Sequence, residues 1–217
     1  MAMTEIYKSP NVKNIARGGL PLSNKTEVFH AILSEYFPDN NIPLDILEIG
    51  VYKASFIQRC HKMNLNIKSY TGVDPYSGGP DDPYSGGYWK RDNVEAVYAS
   101  AKSCFKSFGA TLLRMSSDDF FKSNTKLFDL IYVDGDHRYE PALKDMKNAR
   151  LCLTQGGVML IDDYANSDTP HVTRAVNDFI RTCAGEIVEV GYHQQDFQKG
   201  NKIIPINLIV VGIKFKS

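Results

Sequence analysis

Two apolar runs of strand length, Phe128 to Val133 and Gly157 to Ile161, each end in carboxylates: Asp134 after the first, Asp162 and Asp163 after the second. Short apolar runs bounded by turn residues read as buried parallel strands, and ligands in open α/β sheets gather beyond the carboxyl ends of such strands. The three acids are therefore expected on one edge of a sheet. Clustered carboxylates repel one another unless a cation stands among them, and hard oxygen donors suit Mg²⁺ or Ca²⁺ better than zinc. The pattern implies a divalent-cation site at the rim of a parallel sheet.

The rest of the chain alternates between strand and helix patterns. Asn24-Lys25-Thr26-Glu27 resembles a capping box, and Val28, Phe29, Ile32, Leu33 and Phe37 follow at helical spacing, which predicts a first helix ending at Tyr36 or Phe37 before Pro38. Strands are predicted over Asp45–Ile49, Ser69–Val73, Ala110–Met115, Leu127–Val133 and Gly157–Ile161, with helices near Ser55–Met63, Val94–Phe108 and Glu140–Leu153 between them. A further helix begins after Thr169-Pro170, where proline suits a first helical position. Two β-rich segments, Glu186–Tyr192 and Ile206–Phe215, flank a polar, glycine-containing loop suited to a hairpin. The expected architecture is an α/β, Rossmann-like, doubly wound three-layer αβα fold. Its seven-stranded sheet is mostly parallel and closes with an antiparallel hairpin. Residues 1–23 are expected to form an N-terminal arm or lid and 24–217 one domain.

Charge and cysteine usage narrow the class of partner. The 25 basic and 25 acidic residues cancel, and no dense Lys/Arg stripe offers an electrostatic grip on nucleic acid or an anionic membrane. Cys60, Cys104, Cys152 and Cys183 are widely spaced and form no C-x-x-C pair, which argues against a zinc knuckle or a secreted disulfide framework. The first twenty residues lack the apolar core of a signal peptide, and the apolar run Leu208–Ile213 is too short to span a bilayer. A cytoplasmic protein acting on a small molecule is expected.

The first strand carries a second clue in Glu48-Ile49-Gly50-Val51-Tyr52-Lys53-Ala54-Ser55. Glycine after a buried strand lets backbone approach a ligand, and the helix that follows offers unpaired N–H groups. The dinucleotide fingerprint G-x-G-x-x-G would need glycine where Tyr52 stands. Glu48, acidic and just before the turn, suits a cationic or amino-bearing ligand. Asp74, ending the second strand, is placed to hydrogen-bond a ribose diol. An acid at the end of each of the first two strands points to a nucleoside with a positively charged tail, a description that S-adenosylmethionine fits.

With these residues the sequence resembles class I S-adenosylmethionine-dependent methyltransferases. The likeness is to the metal-dependent O-methyltransferases related to catechol and caffeoyl-CoA enzymes and to macrocin-type sugar methyltransferases. It covers roughly residues 24–215 and rests on Glu48-Ile49-Gly50-Val51-Tyr52 and on Asp134 with Asp162-Asp163. The resemblance implies that Glu48, Gly50, Val51, Tyr52, Ser55 and Asp74 hold the cofactor's amino-acid tail and ribose, with Asp134 lining the same site. It implies that Ser116 and Ser117 touch the adenine, and that Asp134, Asp162 and Asp163 bind Mg²⁺. Asp163 replaces the asparagine of the catechol type and matches the sugar type, which tilts the acceptor towards hydroxyls of glycosides or other natural products. His137 stands three residues after Asp134, where catechol-type enzymes place a lysine base; it is the first candidate for the base, and Asp134 shares the role. Ala54 occupies the usual second glycine position, and Ser55 comes one residue early.

Other readings stay open at the level of sequence. A haloacid-dehalogenase-type phosphatase also uses D-x-D after a strand, but that chemistry begins near the start of its sheet and needs an intervening lysine. A metal-independent methyltransferase acting on nitrogen would keep Glu48 and Asp74 without requiring Asp162 and Asp163. A third is a non-catalytic S-adenosylmethionine-binding protein in which an altered cofactor loop has lost turnover. Pro75-Tyr76-Ser77-Gly78-Gly79 recurs as Pro83-Tyr84-Ser85-Gly86-Gly87, and with Tyr88 and Trp89 it reads either as a loop covering the site or as a surface insertion. The segment through Leu22 reads as a cover for the substrate or a homodimer contact.

Overall fold

The computed structural model describes residues 12–14, 25–39, 41–77, 93–164, 169–184, 186–199 and 202–216. The chain runs β1 (Val12–Asn14), α1 (Lys25–Tyr36), β2 (Leu44–Ile49), α2 (Ser55–Lys62), β3 (Ile67–Val73), α3 (Val94–Ser107) and β4 (Thr111–Leu113). It continues with α4 (Ser117–Ser123), β5 (Phe128–Val133), α5 (Tyr139–Leu151), β6 (Leu153–Tyr164), α6 (Pro170–Thr182), β7 (Ile187–Lys199) and β8 (Lys202–Phe215). One sheet contains all the strands in the order β1-β7-β8-β6-β5-β2-β3-β4, and only β8 runs antiparallel to its neighbours. Strands β2 to β8 make the expected seven-stranded sheet with its closing hairpin. Strand β1 is an addition: the arm contributes three residues that pair with Val190–Tyr192 at the outer edge.

Consecutive strand residues point to opposite faces, so a sheet covered on both sides is apolar at nearly every position. Ile46, Leu130 and Leu160 enter a core with Phe29, Ile32 and Leu33 of α1, Phe56 and Ile57 of α2, and Phe105 of α3. Their neighbours Leu47, Ile131 and Ile161 enter the opposite core with Phe120 of α4, Met146 of α5, and Val176 and Phe179 of α6. Each such fully buried side chain contributes roughly 1.5–3 kcal/mol. Among the described residues each face carries three helices, which gives the αβα sandwich.

Several elements differ in extent from the sequence prediction. Strand β4 is only Thr111–Leu113, β6 begins earlier and ends later than Gly157–Ile161, and β7 and β8 continue until Lys199 pairs with Lys202. Helix α4 was not foreseen, because seven residues are too few for a helical period. Its signal is Ser116-Ser117-Asp118-Asp119: the Ser116 hydroxyl accepts from the Asp119 amide, which caps the helix, and donates to the Asp119 carboxylate. Asn24 of the predicted first cap, both glycine pairs of the duplicated motif, and Tyr84, Tyr88 and Trp89 lie outside the described residues.

Candidate active site

The sheet order reverses between β2 and β5. From β2 the chain moves outward through β3 and β4, and from β5 it moves the other way through β6, so a crevice opens beyond the carboxyl ends of these two strands. Three backbone bonds seal its floor: Gly50 N–H to Val73 O at 2.9 Å, Asp134 N–H to Ile49 O at 2.8 Å, and Asp74 N–H to Leu113 O at 3.1 Å. Gly50 has φ 86°, and a Cβ there would lie 2.0 Å from the Asp134 carbonyl oxygen. Backbone therefore passes against backbone at this point, which only glycine permits.

The turn that follows is built around Asp74. One of its carboxylate oxygens accepts from the amides of Val51 and Tyr52, both at 2.9 Å, and the other from the amide of Tyr76 at 2.7 Å. Tyr76 in turn donates its hydroxyl to Tyr52 O at 3.1 Å. Burial raises the Asp74 carboxyl above its ordinary range, while these three amides and Arg114 pull the other way. A carboxylate offers about four lone-pair positions, so Asp74 spends most of its capacity on holding the loop. Tyr52 and Ala54 are left-handed at φ 47° and 57°, so Ala54 takes the conformation that glycine usually supplies at this place. Ser55, exposed, is the first residue of α2, which has no side-chain cap.

Glu48 lies under this loop, 1% exposed, and accepts from the Tyr70 hydroxyl at 2.7 Å. Burial pushes its carboxyl well above the usual range, and the charges of Asp134 and Asp74 add to that against the Tyr70 bond and Arg59. Ser116 and Ser117 sit beyond β4 at the start of α4, and Ser117 works to lower the pKa of the buried Asp145 carboxyl.

The acids at the ends of β5 and β6, Asp134 just past β5 and Asp162 and Asp163 in the last residues of β6, form a linked cluster. His137 Nε2 is inaccessible to solvent, without a hydrogen bond of good geometry, 3.2 Å from Asp163 Oδ2 and 3.6 Å from Asp134 Oδ1. Burial works to lower the His137 pKa, but the close Asp134 carboxylate and the charges of Asp163 and Asp162 outweigh it and push it up to about 9. Asp134, His137 and Asp163 each offer one ligand atom, and all three atoms lie within 4.8 Å of one another. The two carboxylates are hard oxygen donors that fit a divalent cation such as Mg²⁺, with the imidazole standing beside them. Asp162 is not in that trio: it is 2% exposed, accepts from the Tyr132 hydroxyl at 2.5 Å, and takes the Asp163 amide at 2.9 Å. Asp136 lies outside as well, held by the amide and guanidinium of Arg138.

A regular strand would send Asp162 and Asp163 to opposite faces. Asp163 has φ 58°, the pairing of β6 with β8 breaks register between Ile161 and Tyr164, and Tyr164 lands in the core opposite to Leu160. This irregularity lets Asp163 meet His137 while Asp162 stays inward with Tyr132. The sequence search named the acids and His137 but missed Tyr132 and Asp145. Tyr132 lies within an apolar strand and Asp145 on a polar helix, so only tertiary contact distinguishes either one.

Residues 47–164 match the family described as a methyltransferase domain. The chain is similar to an uncharacterised protein of Acanthamoeba polyphaga mimivirus, 34% identical over 140 residues that make up 63% of this chain and 59% of the viral protein. Among solved structures it is similar to the N-methyltransferase NodS of Bradyrhizobium japonicum, with 17% identity, 89% of this chain and 98% of that one covered, and a TM-score of 0.59. It is also similar to the O-methyltransferase TomG of Streptomyces achromogenes, solved with S-adenosylmethionine, with 14% identity, coverages of 89% and 80%, and a TM-score of 0.55. At such identities the likeness is one of fold.

Proposed function

The chain belongs to the methyltransferase domain family, and from that premise we propose that it uses S-adenosylmethionine to transfer a methyl group to a hydroxyl of a small molecule with the help of a divalent cation. The observation that carries this reading is the convergence of Asp134, His137 and Asp163 one backbone contact away from the Gly50 turn. Glycosides and other hydroxylated natural products are the acceptor class. Neither nucleic acid nor membrane is a partner in this reading, and the protein works in the cytoplasm. No helix among the described residues is long and apolar enough to cross a membrane.

The cofactor supplies a methyl already activated by its sulfonium, so the residues mainly have to position it and handle one proton. Glu48 receives the ammonium of the cofactor tail, whose charge relieves the cost of burying that carboxylate. Gly50, Val51 and Tyr52 bring backbone against the cofactor, Asp74 holds their loop and meets the ribose, and Ser116 and Ser117 face the adenine. Asp134 and Asp163, joined by Asp162 in the sequence-based ligand set, hold the cation, Mg²⁺ or a similar ion. When bound, the cation makes an acceptor hydroxyl more acidic. His137 takes the hydroxyl proton, with Asp134 as second candidate; general-base help of this kind is worth about 10²–10⁴-fold. A histidine held near 9 is protonated at neutral pH. Base function therefore requires the carboxylate charges around it to be neutralised first, which is the part a cation plays.

A second reading is favoured by the same ion pairs. His137 as an imidazolium already balances Asp134 and Asp163, an arrangement suited to metal-independent transfer. Calorimetry with S-adenosylmethionine, followed by methyl-transfer assays on a panel of hydroxylated acceptors with Mg²⁺, with Mn²⁺ and with chelator, separates the two. Transfer abolished by chelator supports the first reading, undiminished transfer supports the second, and no cofactor binding sinks both.

A further inference from the structure

We propose that Tyr132 is the positioning residue of the acid cluster: its buried hydroxyl fixes Asp134 and Asp162 together, and so sets where the Asp134 carboxylate points. The inference deepens the cation-dependent reading and rests on it for its functional consequence.

Tyr132 is the penultimate residue of β5, two before Asp134 and therefore on the same face of the strand. Its register partners are Glu48 in β2 and Leu160 in β6, and Asp162 follows Leu160 by two. Glu48, Tyr132, Asp134 and Asp162 thus share one face at the rim. The Tyr132 hydroxyl oxygen lies 2.5 Å from Asp162 Oδ2 and 3.0 Å from Asp134 Oδ2, linking two strands through one atom. Asp134 is bound on both sides, because its Oδ1 faces His137. The series Asp162, Tyr132, Asp134, His137, Asp163 is continuous.

The tyrosine itself has little freedom. It is 2% exposed, stacked on Phe56 of α2 at 4.1 Å between ring centroids, and met edge-on by Phe29 of α1 at 5.3 Å. Two helices therefore fix the ring, and the ring fixes the hydroxyl. One hydroxyl has one proton to donate, so two carboxylate oxygens around it leave negative charge for a cation or His137 to balance. Groups that orient ligating carboxylates usually affect metal affinity by about 10–100-fold when removed. Phenylalanine at this position would keep the stacking and lose only the orienting atom.

The test compares Tyr132→Phe with Tyr70→Phe, which removes the corresponding hydroxyl from Glu48 instead. Mn²⁺ serves as the probe, titrated by its effect on water proton relaxation, and S-adenosylmethionine affinity is measured separately by calorimetry. Tyr132→Phe is expected to weaken Mn²⁺ by about tenfold or more and to lower kcat, with cofactor affinity changed less than about threefold. Tyr70→Phe is expected to do the reverse. Equal loss of both affinities in Tyr132→Phe, or no loss of Mn²⁺ affinity, overturns the proposal. Wild-type protein that binds no Mn²⁺ refutes the cation-dependent reading instead. Paired crystal structures of wild type and Tyr132→Phe then decide the positioning role: a rotated Asp134 carboxylate supports it, and an unmoved one overturns it.

Discussion

A side chain at Gly50 would overlap the backbone carbonyl of Asp134, with its Cβ 2.0 Å from that oxygen. The turn after β2 and the loop after β5 are thus held at a separation set by the absence of a methyl group. Gly50→Ala must push the loops apart and strain a residue at φ 86°, at a cost of roughly 2–4 kcal/mol. Urea denaturation measures the loss, and a variant as stable as wild type would mean that the two loops part easily.

Asp74→Ala removes the acceptor of three amides at once. Buried donors left without partners are costly, so the Val51, Tyr52 and Tyr76 amides should exchange with deuterium much faster than in wild type. Cofactor affinity should fall by about tenfold or more, equivalent to about 1.4 kcal/mol. Unchanged exchange at these amides would show that the loop is held by something other than this carboxylate.

His137, raised from 6.5 to about 9, binds its proton more tightly in the folded than in the unfolded chain. Its contribution to stability is therefore complete below about pH 6.5 and is lost as pH climbs towards 9. His137→Ala should flatten the stability curve across that window. A saturating divalent cation should do the same for wild type, by supplying the positive charge without a proton. A slope that survives the substitution would belong to another group.

Asp145 acts in the same direction but in a more acidic window. Burial, resisted by Ser117 and assisted by the charges of Asp118 and Asp136, raises its carboxyl from 3.8 to about 6. The folded chain holds this proton more tightly than the unfolded one, so stability falls as pH rises from about 4 to 6. Asp145→Asn should remove that fall and gain roughly 2–3 kcal/mol at neutral pH, since one pKa unit is worth about 1.4 kcal/mol. Thermal melts at pH 4 and pH 7 check it. An Asn variant less stable than wild type at pH 7 would mean that the ionised form makes a bond that compensates.

The fold was legible because both faces of the sheet are covered, so strands such as Leu130–Val133 are apolar at every position, and the helices between them keep their periods. The glycine after β2 and the acids after β2's neighbours could be named because strand ends are marked by a change from apolar to polar residues. Conformation at single residues was not legible. Nothing in Asp162-Asp163 announces that the second turns left-handed and parts company with the first. Nor does Ala54 advertise that it does the work of glycine. Such states are imposed by surrounding structure against local preference, which is why they escape pattern reading.

The pairing of Val12–Asn14 with Val190–Tyr192 bears on solubility. Strand β7 is thirteen residues long and ends the main sheet, so without a neighbour it would present a row of unsatisfied amides and carbonyls able to recruit a strand from another molecule. The short segment from the amino-terminal region blunts that hazard where it pairs. Trimming the chain through β1 would thus be felt first as self-association, at a place remote from the chemistry.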